Sequence, residues 1–248
     1  MNILLTNDDG YDRQGISRLA RELGKDHTVC IVAPDGNRSG FAHGFTLHDP
    51  VRFRRVAESV WACSGTPADC VSITAHGMFG FEPDLIISGI NYGPNLGTDI
   101  IYSGTAAGAR EGALKGIPSV AVSLAQMEPP FDFESSVEFV VSHVDKFHTL
   151  WDKDHFLNIN IPPSIKEPCK VRVTRPCLRK YVDSYQCFTD PRGDLFTFMD
   201  GDIDVSQPEK GSDLEAVEEG VISLSPISIH PENNRQVMNE YSRIWEKE

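Results

Sequence analysis

The sequence predicts a doubly wound α/β protein, a mostly parallel sheet covered on both faces by helices, followed by a β-rich C-terminal extension. Three observations carry this. Short apolar and β-branched runs alternate with segments of helical spacing through the first two thirds of the chain, the pattern of a buried parallel sheet. The residues with chemical potential fall just after those runs, where open α/β sheets bind ligands. Beyond residue 162 the alternation gives way to short strand patterns. A chain of 248 residues lies near the roughly 250–300 residues at which a single core stops growing. We therefore expect one structural unit, with a catalytic core over residues 1–162 and an extension over 163–248 used for packing and oligomerisation.

Taken in order, residues 2–5 form a first strand, and Ile16, Leu19, Ala20 and Leu23 recur at helical spacing before Gly24 stops the helix. Residues 28–33 give a second strand and 60–64 a third. Thr66-Pro67-Ala68-Asp69 then opens a helix, with Thr66 as cap, Pro67 in the first turn and Asp69 completing a capping box. Residues 85–88 form a buried strand, 105–115 a helix ending at Gly116, and 118–124 a strand. That helix carries Gly104, Gly108, Gly112 and Gly116 at four-residue spacing. Each interior glycine costs about 1 kcal/mol relative to alanine, so the shared face is expected to pack too closely on the sheet for a Cβ. A helix over 135–151 and a strand over 156–161 complete the core. In the extension, 170–174 opens the short strands, 196–199 precede an Asp200-Gly201-Asp202 turn, and 221–229 form a strand broken by Pro226, which suits an edge or bent strand.

Composition excludes several functions. A formal net charge of −13 from 23 Lys and Arg against 36 Asp and Glu, with no basic block, argues against nucleic acid as a partner. No run reaches the roughly 18 apolar residues that span a bilayer, and the N-terminus has no basic region ahead of an apolar one. Six dispersed cysteines without a C-x-x-C pair suit free thiols. The expectation is a soluble, cytoplasmic protein without membrane contact.

The sharpest chemical feature is Asn7-Asp8-Asp9-Gly10 after the first strand. Adjacent acids repel unless something positive joins them, and Mg²⁺ or Mn²⁺ takes carboxylate, amide and hydroxyl oxygens. An exposed Asp-Asp-Gly turn is the plain alternative. Ser39 after the second strand and Asn91 after the strand at 85–88 supply matching oxygens, with no histidine or cysteine to favour zinc; singly, both are common turn residues. Tyr102-Ser103-Gly104-Thr105 opens the glycine-lined helix, where exposed N–H groups, the helix dipole and the Ser103 and Thr105 hydroxyls favour a phosphate, or where Ser103 or Thr105 simply caps the helix. Together these pieces describe a phosphoryl-transfer or phosphate-ester hydrolysis site. Other candidates are weaker. The eight histidines contain no H-E-x-x-H. His43 and His48 fit surface residues. Trp61 and Tyr92 fit either packing or a nucleobase platform, with Tyr92 preferred because Asn91 adjoins it.

The residues Ile3 to Gly10, Ala33-Pro34 with Arg38-Ser39-Gly40, Gly65 to Val71, Ser88 to Asn91 and Tyr102 to Thr105 closely resemble the stationary-phase survival protein SurE family. The resemblance extends to Thr189 to Gly193, Gly211-Ser212-Asp213 and Ala216-Val217, and so covers nearly the whole chain. It implies a Rossmann-like, metal-dependent 5′-nucleotidase acting on nucleoside 5′-monophosphates, with 3′-monophosphates and short polyphosphate as further substrates. It also implies a homodimer or homotetramer that exchanges its C-terminal segment. It places one divalent cation, Mn²⁺ or Mg²⁺, per subunit on Asp8, Asp9, Ser39 and Asn91, and the substrate phosphate on Asn95, Ser103, Gly104 and Thr105. The residue types themselves make Asp8 or Asp9 the expected catalytic acid–base group, without saying which. The rival classes are a receiver-like signalling module and a nucleotide sensor without turnover. A receiver requires a phosphoacceptor Asp and a Lys after later strands, where this chain has Ser64-Gly65-Thr66 and Ser123 to Gln126. Because a phosphate monoester is anionic and the chain is acidic, binding is expected to rely on local positive elements, a cation and a helix N-terminus.

Overall fold

Strand β1 (Asn2–Thr6) sits at the middle of the sheet, with Ile3, Leu4 and Leu5 fully buried, as a strand covered on both faces requires. The computed structural model describes residues 1–165, 169–203, 208–231 and 235–245. From β1 the chain runs through α1 (Gln14–Leu23) to β2 (Thr28–Pro34), then through the hairpin of β3 (Phe53–Ala57) and β4 (Val60–Cys63). Helix α2 (Pro67–Ala75) carries it back across β1 to β5 (Leu85–Tyr92), α3 (Asp99–Tyr102), α4 (Gly104–Leu114), β6 (Ser119–Leu124), α5 (Glu134–Leu150) and β7 (His155–Ile161). The rest comprises β8 (Val171–Val173), β9 (Tyr181–Thr189), β10 (Leu195–Ile203), α6 (Asp213–Glu218), β11 (Ile222–Ser228) and α7 (Arg235–Trp245).

The order across the main sheet is β3-β4-β2-β1-β5-β6-β7-β11-β8. β1 pairs in parallel with both β2 and β5, so the winding reverses between β1 and β5, the switch point where such sheets leave a crevice at the strand carboxyl ends. One apolar layer joins Ile3, Leu5 and Val122 of the sheet to Ile16 of α1 and Val140 of α5. The opposite layer joins Leu4, Val32 and Ile86 to Cys70 and Val71 of α2. Burying a side chain of this size contributes about 1.5–3 kcal/mol.

The expected helix signals hold. Thr66 and Asp69 form the capping box of α2. A Cβ on Gly108 would meet Ser88 Oγ at 2.8 Å and one on Gly112 would meet Ser119 Oγ at 2.2 Å, so α4 does lie against the sheet on its glycine face. Gly116 differs: its φ is +77° and nothing lies within 4 Å of a built Cβ, so it stops the helix instead of packing it.

Four local expectations change. β3 is a strand that the residue pattern does not announce; all its residues but Phe53 are exposed, so no apolar alternation betrays it. β5 runs on to Tyr92, and its register against β6 shifts between Ser88 and Asn91. Asp200-Gly201-Asp202 is no turn but lies within β10, opposite Ser184, Asp183 and Val182; the hairpin reverses at Asp190 to Gly193, where Gly193 takes φ +92° and the Asp190 carboxylate accepts the N–H groups of Arg192 and Asp194. Finally, β11 joins the main sheet antiparallel to β7. β8 accompanies it only as far as Leu224, so Pro226 occupies a stretch that β8 no longer covers, consistent with its missing donor.

Candidate active site

Asn7 shapes the turn after β1. Its amide side chain accepts the Gly10 N–H and donates to the Gly10 carbonyl, each at 3.0 Å, and Gly10 takes φ +129°. Asp8 is thereby turned inward, 3 % exposed. Its Oδ1 accepts the Thr105 hydroxyl at 2.5 Å and its Oδ2 the Gly104 N–H at 3.1 Å. Burial nonetheless raises its pKa, against the pull of those hydrogen bonds. Asp9 Oδ2 accepts the Tyr92 N–H at 3.3 Å. Its pKa is pushed up to about 7, first by burial and then by the charge of Asp8, with the Tyr92 N–H and Arg13 only partly offsetting them.

The Ser39 loop is tied to this turn by the Arg38 N–H, which donates to the Asp8 carbonyl at 2.7 Å. Ser39 itself donates both its N–H and its hydroxyl to Asn37 Oδ1, at 2.7 and 2.6 Å. Asn91 Nδ2 donates to the carbonyls of Tyr92 and Gly93, which leaves Oδ1 as the edge of the amide facing other partners. Asn95 is held hardest: Asn160 accepts its N–H and donates to its carbonyl, Asn158 donates to the same carbonyl, and its own Nδ2 donates to Ser123 Oγ. Ser103 accepts the Ala106 N–H and so caps α4.

A cavity of about 670 Å³ opens at the switch point and brings Asp8, Ser39, Asn91, Asn95 and Ser103 onto one wall. Gly104 and Thr105 act on it through Asp8, to which their donors are committed, and Asp9 through the backbone of Tyr92. The donor set is all oxygen: two neighbouring carboxylates with raised proton affinity, an amide and a hydroxyl. Among the described residues no three His, Cys, Asp or Glu side chains gather, so a zinc-type cage is not what these residues build. A hard divalent cation that keeps water or substrate oxygens in part of its shell fits them.

Residues 3–183 match the family model for Survival protein SurE. The chain belongs to the SurE family. It is 42% identical to a 5′-nucleotidase SurE of Pelotomaculum thermopropionicum, over 92% of this chain and 89% of that protein. It is 40% identical to a 5′-nucleotidase SurE of Fervidobacterium nodosum, over 99% and 97%. The crystal structure of the SurE protein from Aquifex aeolicus superposes with a TM-score of 0.83 at 36% identity, covering 98% of this chain and 99% of that one.

In this SurE-family chain Trp61 is a packing residue, whereas Tyr92 both packs and lines the cavity. Trp61 stacks on Phe79, with ring centroids 4.3 Å apart, and Tyr92 meets Phe131 and Phe133 edge to face while its hydroxyl accepts the Gln14 N–H. His43 bonds Glu111 of α4 at 3.1 Å. Sequence reasoning missed Asn158 and Asn160, although two asparagines at alternate positions of the apolar strand β7 were a readable signal of one polar face. It also missed Asp99, Arg179 and Tyr181, which line the outer cavity wall; their long separation in the chain gave no local signal.

Gly104 links the helix to the acid. A Cβ there would meet Asp8 Cβ at 2.7 Å and Oδ2 at 2.9 Å, so Gly104→Ala must move the carboxylate. We expect kcat to fall about 100-fold with the chain still folded, measured by steady-state kinetics beside circular dichroism.

Proposed function

We propose that this chain is a metal-dependent 5′-nucleotidase that hydrolyses nucleoside 5′-monophosphates to nucleoside and phosphate. The observation that supports it most is the adjacent pair of buried Asp8 and half-buried Asp9 at the switch point, with Asp8 joined to a cavity lining of Ser39, Asn91, Asn95 and Ser103. The names of the SurE relatives point the same way. Asp8, Asp9, Ser39 and Asn91 would hold one divalent cation, Mn²⁺ or Mg²⁺, which when bound neutralises the acid pair and polarises a phosphoryl oxygen.

The chain's own groups do the rest. Thr105 and the first N–H of α4 fix both oxygens of Asp8, so that carboxylate is a rigid element of the site. Asp9 has only Oδ2 engaged, by the Tyr92 N–H, so its Oδ1 is the oxygen of the pair left to take a proton from the attacking water. We assign it that role. Asn95 and Ser103 border the cavity where the phosphate would sit, and the Asn95 loop is immobilised by Asn158 and Asn160, which lowers the cost of orienting a substrate. Phosphate release from nucleoside 5′- and 3′-monophosphates and short polyphosphate, assayed with Mg²⁺, Mn²⁺ and a chelator, tests the reading. Turnover of 5′-monophosphates that stops in the chelator and returns with metal is expected. Undiminished turnover in the chelator would overturn the metal assignment, and no release from any nucleotide would overturn the function.

Assembly into a homodimer or homotetramer through the extension belongs to the same proposal. Its support is the apolar surface there: Phe198 is 64% and Leu195 71% exposed on the hairpin, and Trp245 is 80% exposed on α7, more than a solitary chain normally presents together. No helix among the described residues is long and apolar enough to cross a membrane.

A further inference from the structure

We infer that the root of the β9–β10 hairpin seats the nucleoside half of the substrate, with Arg179 donating a hydrogen bond to an acceptor on the sugar or base. The inference rests on the nucleotidase reading and extends it to the outer wall of the cavity. That wall differs in chemistry from the inner one. Where the inner side carries Asp8 and the amides of Asn91 and Asn95, the outer one is built from Asp99, Tyr102, Met127, Arg179, Tyr181, Asp183 and Met199. A cavity of about 670 Å³ has the size of a whole small-molecule site, beyond what a phosphate alone would need.

Arg179 is the one cationic side chain lining the cavity among the described residues. Its side chain is 10% exposed, and Nη1 donates to Asp99 Oδ2. The Tyr181 hydroxyl donates to the other oxygen of the same carboxylate. The guanidinium plane is therefore fixed from one side, which orients its remaining donors before any ligand arrives. Its Nε is buried and has no partner in the protein. The donors left for a ligand are therefore the remaining guanidinium N–H groups that the Asp99 contact does not use.

The pairing with Asp99 also says what that acceptor is not. The Asp99 carboxylate balances the charge of Arg179, so the pair presents directional donors without net positive charge, which favours a neutral acceptor such as a ribose oxygen, a base carbonyl or a ring nitrogen over a second phosphate. Around it, Tyr102 is 57%, Tyr181 43%, Met127 65% and Met199 74% exposed. These flat or polarisable side chains at the cavity mouth suit the faces of a nucleobase.

The test compares Arg179→Lys, Tyr181→Phe and wild type on p-nitrophenyl phosphate, ribose 5-phosphate and adenosine 5′-monophosphate with Mn²⁺. Arg179→Lys keeps a charge for Asp99 and loses the planar fork; Tyr181→Phe keeps the ring and frees one oxygen of Asp99. We expect Arg179→Lys to raise KM for the nucleotide by about 10- to 100-fold, Tyr181→Phe to raise it less, and both to affect p-nitrophenyl phosphate far less than the nucleotide. A parallel loss on ribose 5-phosphate places the acceptor on the sugar, and an unchanged value places it on the base; both support the seat. Equal losses on all three substrates, or no loss in either variant, would overturn it. A wild-type protein active on p-nitrophenyl phosphate and inactive on every nucleotide would instead remove the function on which the seat rests.

Discussion

Asp9→Asn is expected to give a protein that is inactive yet more stable than wild type when no metal is present. The folded pKa of Asp9 is about 7 against an ordinary value of 3.8, because burial and the neighbouring Asp8 both oppose its charge. Below about pH 4 the carboxyl is protonated in the folded and unfolded chains alike and contributes nothing. Between about pH 4 and 7 the unfolded chain releases the proton while the folded chain retains it, so stability falls as pH rises. Above pH 7 both are ionised and the penalty is constant, about 2–4 kcal/mol, since each tenfold change in proton affinity is worth about 1.4 kcal/mol. An uncharged amide of the same shape removes this slope. Urea unfolding in a chelator from pH 4 to 9 checks it: wild type should lose stability across that window and Asp9→Asn should lose less, keeping only the share due to Asp8. Adding Mn²⁺ should stabilise wild type and leave the variant nearly unmoved, while phosphate release should drop at least about 1000-fold. A variant as active as wild type would sink the site assignment, and a variant no more stable at pH 8 would sink the electrostatic one.

The same carboxylates show how far the sequence could be read. Asn7-Asp8-Asp9-Gly10 was legible as a site because an acidic pair follows an apolar strand, and both facts are local. The capping box of α2 and the close face of α4 were legible for the same reason, since each signal lies within a few residues. What Gly104 and Thr105 do was not. Their types announce donors at a helix start, which fits a phosphate, but in the fold those donors reach across to Asp8, a pairing that sequence separation hides. The Asp99, Arg179 and Tyr181 cluster was illegible for the same reason. β3 escaped because its ladder to β4 depends on backbone pairing and its side chains are mostly solvated. Asp200-Gly201-Asp202 misled because its composition suits a turn, whereas the reversal belongs to Gly193, whose positive φ the hairpin requires.

Gly97→Ala is expected to be strongly damaging for a single added methyl, because it strikes the joint between the site loop and the extension. Gly97 takes φ +55°, and a Cβ there would lie 2.1 Å from the Cys177 carbonyl oxygen and 2.5 Å from its Sγ. The nearest obstacle is backbone and cannot swing aside. The same joint holds a buried carboxylate: Asp213 accepts the N–H groups of Gly97 at 2.8 Å and of Cys177 and Leu214 at 2.9 Å. Pushing Cys177 away must stretch these bonds and shift Arg179, two residues on, together with Asn95, two residues back. The left-handed conformation alone costs alanine about 1–2 kcal/mol, and with the clash and the strained hydrogen bonds the loss should reach about 3–5 kcal/mol. Gly116→Ala supplies the control. Gly116 also has a positive φ, +77°, but nothing lies within 4 Å of a built Cβ, so it should lose only the conformational part, about 1 kcal/mol. Urea midpoints separate the two variants, and kinetics should show a fall in kcat for Gly97→Ala only. Equal losses in both would mean that positive φ alone sets the cost, and that the contact between the Asn95 loop and the extension does not hold the site in place.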